Sequence, residues 1–189
     1  MQPAIKHMAL GVLLCLAAQP SDSALGSDNV LPPLAHTYFC LRYPSDCERA
    51  DSTRALPTSM DERWHQLNFV NTSVNTAIAP KPGNPKEINA HWLIAPREGD
   101  CADYAVTKRH MLLRAGWPSS SLLLAEVTLI STGEHHLILI VKDANSDWVL
   151  DNLKPVIVRL SKTRNEYTWD RVESAENPKF WTKSFAGLS

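Results

Sequence analysis

No apolar run in this 189-residue chain reaches the roughly 20 residues that a membrane-spanning helix needs. No low-complexity tract and no internal repeat is present, so the fold is not a repeat array. An excess of one charge is missing too. Nineteen Lys and Arg stand against 20 Asp and Glu, a formal net charge of -1. The basic residues are scattered, so neither nucleic acid nor an anionic membrane surface is an expected partner. Cysteine is scarce, with four in all. What remains is a chain of ordinary composition, long enough for a single domain with a single core.

The N-terminus carries the first positive signal. Lys6 and His7 precede an apolar run from Met8 to Ala18, followed by small and polar residues through Ser27. A charged start, a short apolar middle and small residues near a cut site read as a secretory signal. Cleavage after Ala18 or after Ala24 fits equally. The expected organisation is therefore a signal peptide over 1–24, removed on export, and one domain over 25–189. Removal of the signal takes Cys15 and leaves Cys40, Cys47 and Cys101. Cys40 and Cys47 flank a segment in which Pro44 favours a turn. In an oxidising compartment they are expected to form a disulfide. Cys101 is then an unpaired thiol in an exported protein, which calls for burial or a job. A zinc site built from His36, Cys40 and Cys47 is the alternative, and it lacks an evident fourth ligand.

Residues from Ala24 to about Pro57, with Pro32, Pro33 and Pro44, read as irregular. Ser59 followed three residues later by Glu62 is a capping box. It opens a helix whose apolar stripe is Met60, Trp64, Leu67, Val74 and Ile78. Pro80, Pro82, Gly83 and Pro85 end it. A second helix is expected from about Cys101 to Ala115, capped by Asp100 and closed by Gly116 and Pro118. Arg109 interrupts its apolar stripe. Beyond Ser119 come runs at 122–130, 135–141, 148–151 and 156–160, separated by short turns that imply antiparallel hairpins. Tyr167 to Val172 adds a further strand. Trp64, Trp148, Trp169 and Trp181 read as packing residues, and Trp92 as an aromatic packed under the second helix. Helices first and strands later give an α+β fold, two helices on an antiparallel sheet.

That layout puts Cys101 in the first turn of a helix, His136 at the start of a strand and Asp151 at the end of a neighbouring strand. A free thiol has a pKa near 8.5, so little thiolate is present at neutral pH. A helix N-terminus favours the anion, an imidazole in reach takes the proton, and a carboxylate fixes the imidazole tautomer. His135 competes for the histidine role. Alternation along a strand lets only one of the two face the cysteine, and His136 is preferred.

Three local blocks carry a resemblance. Gly99-Asp-Cys-Ala-Asp-Tyr-Ala105, His135-His-Leu-Ile-Leu139 and Val149-Leu-Asp-Asn-Leu153 resemble the bacterial transglutaminase-like cysteine peptidases, a group that includes LapG-type periplasmic proteases. The likeness takes in Phe39 to Cys47 and runs from about Tyr38 to Leu160. It implies a papain-like, transglutaminase-like core with the nucleophile helix packed on an antiparallel sheet. By position it implies Cys101 as nucleophile, His136 as base and Asp151 as orienter of a peptidase acting outside the cytoplasm on a protein substrate. A regulatory protein is a further partner to look for, and no membrane contact is expected after signal cleavage. The resemblance also brings calcium, held by acidic residues around the nucleophile in an Asp-Cys-Glu-Asp pattern. Here the pattern reads Asp100-Cys101-Ala102-Asp103, so Asp100 and Asp103 are the remaining candidate ligands and no cofactor is required by the sequence. Two rivals stand beside hydrolysis. One is a transglutaminase-type acyltransferase on the same triad, the other a non-catalytic binding module retaining the fold.

Overall fold

The computed structural model describes residues 29–51, 59–81, 91–143, 146–183 and 185. The expected signal peptide lies outside the described residues. No helix among them is long and apolar enough to cross a membrane.

Three α-helices pack on one antiparallel sheet. The first, α1 (Leu34–Arg42), falls where the sequence reads as irregular. Pro33 supplies its N-cap position, and Ala35, His36 and Phe39 bury one face. Three prolines near its ends disguised a helix that tertiary burial holds. Cys40 and Cys47 form the expected disulfide, with S–S 2.04 Å, so neither sulfur is a thiolate for zinc. The helix α2 (Met60–Ala77) starts at Ser59, whose hydroxyl accepts from the Glu62 amide at 3.4 Å. Its buried stripe is Leu67, Val70, Asn71 and Val74, continued by Ile78. Met60 and Trp64 at its exposed start lie outside that core, and Trp64 instead stacks 4.7 Å from Trp148.

The helix α3 (Cys101–Arg114) matches its expected span, and Ala115 is its C-cap. Arg109 is buried rather than a flaw in the stripe. Its guanidinium lies 3.3 Å from Glu173, donates to the Leu122 carbonyl at 3.0 Å and also reaches the Asp46 carbonyl. A buried ion pair joins α3 to the sheet, and the carbonyls of Leu122 and Asp46 offset part of the cost of burying the guanidinium.

The strands are β1 (Asn29–Val30), β2 (Ala79–Pro80), β3 (Glu98–Gly99), β4 (Leu122–Leu129), β5 (His135–Asp143), β6 (Ser146–Leu150), β7 (Val158–Arg159), β8 (Tyr167–Glu173) and β9 (Trp181–Thr182). Seven form one sheet in the order β1-β9-β8-β4-β5-β6-β7, every neighbour antiparallel. A separate parallel pair, β2 and β3, ties the end of α2 to the approach of α3. Strand alternation divides the centre of the sheet into two cores. Leu137, Leu139, Val141 and Leu150 pack with the helices, while Ile138, Ile140, Val149, Tyr167 and Val172 form a second cluster. The central strands are therefore buried on both faces.

Register decides where the chemistry sits. His136 pairs with Val127, Leu139 with Leu150, and Leu129 with Tyr167. These pairings gather His136, Asp151 and Tyr167 at one end of the sheet, against the start of α3.

The disulfide closes a short loop, with a sequence separation of 7. Chain-entropy arithmetic for a loop of that size gives about 2.5 kcal/mol of stabilisation. Replacing Cys40 and Cys47 together by Ser is expected to lower the unfolding free energy in denaturant by about that much.

Candidate active site

The start of α3 is built by a reciprocal cap. The Asp100 carboxylate accepts from the amides of Ala102 at 3.0 Å and Asp103 at 3.4 Å, while Asp103 Oδ2 accepts from the Asp100 amide at 3.0 Å. Asp103 Oδ1 also accepts from the Leu93 amide at 2.7 Å, tying the incoming chain to the helix. Gly99 makes this closure feasible. A Cβ there would lie 2.7 Å from both the Asp103 Cβ and Oδ2, a distance no packing tolerates. The Gly-Asp-Cys-x-Asp block is thus a structural device that delivers Cys101 to the first turn. Burial pushes the Asp103 carboxyl above its usual 3.8, against the two amides that favour its anion.

Cys101 is half-buried and is the free cysteine among the described residues. His136 is buried, 5% exposed, and hydrogen-bonds to both Cys101 and Asp151. Its Nε2 lies 2.8 Å from Asp151 Oδ1, which leaves Nδ1 for the sulfur. The structure thus brings Cys101, His136 and Asp151 together. His135 is excluded from the cluster: its side chain is 83% exposed and approaches Asp170 at 3.9 Å.

Asp151 gathers partners from outside the local blocks of the sequence. The Tyr167 hydroxyl donates to its Oδ2 at 2.6 Å and the Leu153 amide to its Oδ1 at 2.9 Å. Asn75 of α2 donates to its main-chain carbonyl at 3.3 Å. Tyr167 read only as the start of a strand, and Asn75 carries no signal of its own; pairing across elements has no local signature.

The electrostatics follow from these contacts. Burial disfavours the charged His136 ring, but the hydrogen bonds and charges of Asp151 and Cys101 outweigh it and push the ring up to about 9. Burial likewise opposes the Asp151 anion, but His136, Tyr167 and the Leu153 amide hold its carboxyl below the usual 3.8. Burial and the neighbouring anion push the Tyr167 phenol far up, so it stays a donor. A buried imidazolium–carboxylate pair is favoured across the neutral range, beside Cys101 at the helix start.

Helices packed on an antiparallel sheet, with a free cysteine at a helix start beside a buried His–Asp pair, are the arrangement expected of a transglutaminase-like core. The chain belongs to the bacterial transglutaminase-like cysteine proteinase (BTLCP) family, whose profile matches residues 26–186. It is a cysteine peptidase. In fold it is similar to Legionella pneumophila LapG solved with calcium bound, with 23% identity, a TM-score of 0.56, and coverage of 66% of this chain and 71% of that one. The EGTA-treated form of the same protein matches with 22% identity, a TM-score of 0.54, and coverage of 66% and 69%. Among curated proteins no sequence relative is found.

The His136–Asp151 pair couples stability to pH in a fixed direction. The raised histidine contributes stability that is fully present below 6.5 and is lost as pH rises through about 9. The depressed carboxyl contributes stability that is present above 3.8 and is lost as pH falls through its lowered value. Melting temperatures are therefore expected to decline between pH 6.5 and 9, and Asp151→Asn is expected to flatten that decline. An unchanged slope in the variant would separate the pair from the pH response.

Proposed function

We propose that the protein is an exported cysteine peptidase that cleaves a peptide bond through a thioester on Cys101, with His136 as acid–base and Asp151 as orienter. The observation that carries this reading is the unbroken chain of contacts from the Cys101 sulfur through His136 to Asp151 at 2.8 Å. The signal-like N-terminus and the disulfide support action outside the cytoplasm. The expected substrate is an extracytoplasmic protein, and a regulatory protein partner is compatible with the half-buried thiol.

In this mechanism the Cys101 proton rests on His136 Nδ1 in a thiolate–imidazolium pair, and the thiolate attacks the scissile carbonyl carbon. The Cys101 main-chain amide, at the positive end of α3, faces the developing oxyanion. The imidazolium then returns its proton to the leaving amine, releasing the first product and leaving an acyl-thioester. Water enters, gives its proton to His136 and attacks the thioester, and the thiol is restored. Asp151 stays ionised throughout and keeps the ring turned.

Calcium comes to this chain from the calcium-bound relative. Asp100 and Asp103 are the carboxylates that would meet it. Both oxygens of Asp103 already accept main-chain amides, Asp100 caps the helix, and Ala102 between them offers no side-chain ligand. Calcium takes six to eight oxygens, so this donor set falls short of a calcium site by itself, and no catalytic step is routed through the ion. The cap alone orders the helix start.

Cys101→Ser is expected to abolish cleavage of extracytoplasmic protein substrates, and His136→Ala to slow Cys101 alkylation at pH 6 at least about a hundredfold. Alkylation that tracks an ordinary thiol and ignores His136 would sink the peptidase mechanism and favour a binding module. Chelation by EGTA is expected to change the wild-type cleavage rate less than about twofold. Loss of activity that added calcium restores would establish a metal site at Asp100 and Asp103.

A further inference from the structure

Away from the Cys101 cluster, helix α1 buries a histidine against the disulfide. His36 is 1% exposed, and its Nε2 and Nδ1 lie 3.6 and 3.8 Å from Cys40 Sγ. Among the described residues, His36, Cys40 and Cys47 form a group whose ligand atoms, one nitrogen and both sulfurs, all lie within 4.8 Å of one another. A sulfur and a nitrogen bound to one tetrahedral zinc, at about 2.3 and 2.0–2.1 Å from it, stand about 3.6 Å apart. The ring is therefore already at ligand spacing from Cys40.

The surroundings of His36 are those that a ligating imidazole uses. The Trp181 indole donates to Nδ1 at 3.4 Å, so Nδ1 carries the lone pair and Nε2 the proton. Nε2 faces Glu173 Oε1 at 3.6 Å. That oxygen is buried without a hydrogen-bond partner, so a small turn of the ring completes a bond to it. The carboxylate itself is fixed from behind, by Arg109 at 3.3 Å and by the Leu124 amide, which donates to Oε2 at 3.1 Å. A carboxylate on the far nitrogen sets the tautomer and orientation of a metal-bound histidine. Here it is in place, and the long indole bond is the contact that yields to a metal.

We propose that reduction of the Cys40–Cys47 disulfide turns this corner into a zinc site, with Cys40 Sγ, Cys47 Sγ and His36 Nδ1 as ligands and Glu173 behind the histidine. In the oxidised protein the sulfurs are bonded to each other and take no metal. A dithiol reductant supplies the electrons. Its thiolate attacks Cys40, the half-buried partner, and buried Cys47 leaves as a thiolate. The second thiolate of the reductant then releases Cys40 and closes the reductant's own disulfide. Zn2+ takes both cysteine thiolates, and the two protons brought by the dithiol pass to water. Three protein ligands leave the fourth tetrahedral position to a water molecule. The disulfide ties α1 to the turn Pro44–Cys47, and zinc keeps that tie when the covalent bond is open. Nothing in the peptidase reading enters this argument.

The test uses the full chain carrying Cys101→Ser, which removes the third thiol. The protein is titrated with cobalt(II) before and after reduction by a dithiol, once the reductant has been removed under argon. The reduced form is expected to take up one equivalent, with sulfur-to-metal charge-transfer absorption and the intense visible bands of tetrahedral cobalt. The oxidised form and the reduced form with Cys40→Ser and Cys47→Ser are expected to show neither. Competition with a chromogenic chelator is expected to give zinc binding at least about tenfold weaker in His36→Gln. A reduced, folded protein without the charge-transfer band overturns the proposal, as does binding that ignores either the serine or the glutamine substitutions. Should reduction unfold the chain, zinc is expected to restore its circular dichroism, and failure to do so overturns the proposal equally. Should His36→Gln fail to fold, the His36 ring resonances of the reduced parent are expected to shift with one equivalent of zinc, and unshifted resonances overturn it.

Discussion

Everything in this molecule that bears on chemistry depends on keeping one carboxylate ionised away from water. Asp151 is almost wholly buried, and burial alone would protonate it. Its anion survives because donors from separate elements meet there: His136 from β5, Tyr167 from β8 and the Leu153 amide from the following turn. In the sheet order β8-β4-β5-β6, two strands stand between the tyrosine strand and the strand that ends at Asp151. In a flat sheet β8 and β6 would lie about 14 Å apart. A hydrogen bond of 2.6 Å therefore requires the sheet to curl over its second core, and the cluster of Ile138, Ile140, Val149 and Val172 is the packing that curls around. The polar site and the apolar face beneath it are one construction.

The start of α3 solves a second electrostatic problem. Two carboxylates flank Cys101 in sequence, and both would oppose a thiolate there if free in charge. Asp100 is spent on the amides of Ala102 and Asp103, where the helix dipole compensates its charge. Asp103 is turned inward, and burial raises its carboxyl, which weakens its opposition. The same bonds fix the height of Cys101 relative to the sheet. A cap that elsewhere serves only helix stability here also sets the position of the sulfur.

Much of this was legible in the sequence, for physical reasons that differ by element. The bounds of α2 and α3 could be read because Ser59 and Asp100 are local capping signals, and capping is a local interaction. The central strands could be read because apolar, β-branched runs broken by turns have a clear period. The helix α1 could not, since it is framed by prolines and held by burial of Ala35, His36 and Phe39 against residues far along the chain. The roles expected for Cys101, His136 and Asp151 rest on local blocks around each. Tyr167 and Asn75 carry no such block. Arg109 was misread as a blemish because its partner, Glu173, lies 64 positions on in the sequence and becomes visible only when β8 pairs with β4.

The distribution of burial across the site decides how the charges can be used. Cys101 is half-exposed while His136 and Asp151 are enclosed, so solvent meets the sulfur and not the pair behind it. Raising the ring from 6.5 to about 9 favours its charged form by about 3 kcal/mol, a net gain that survives the burial penalty. In water the same contacts would be screened to a fraction of that. In the proposed mechanism, exposure of the sulfur lets a carbonyl approach, and enclosure of the ring and carboxylate keeps the proton available at neutral pH. Either condition alone gives an inert thiol or a buried ion pair, and the geometry at the end of this sheet supplies both.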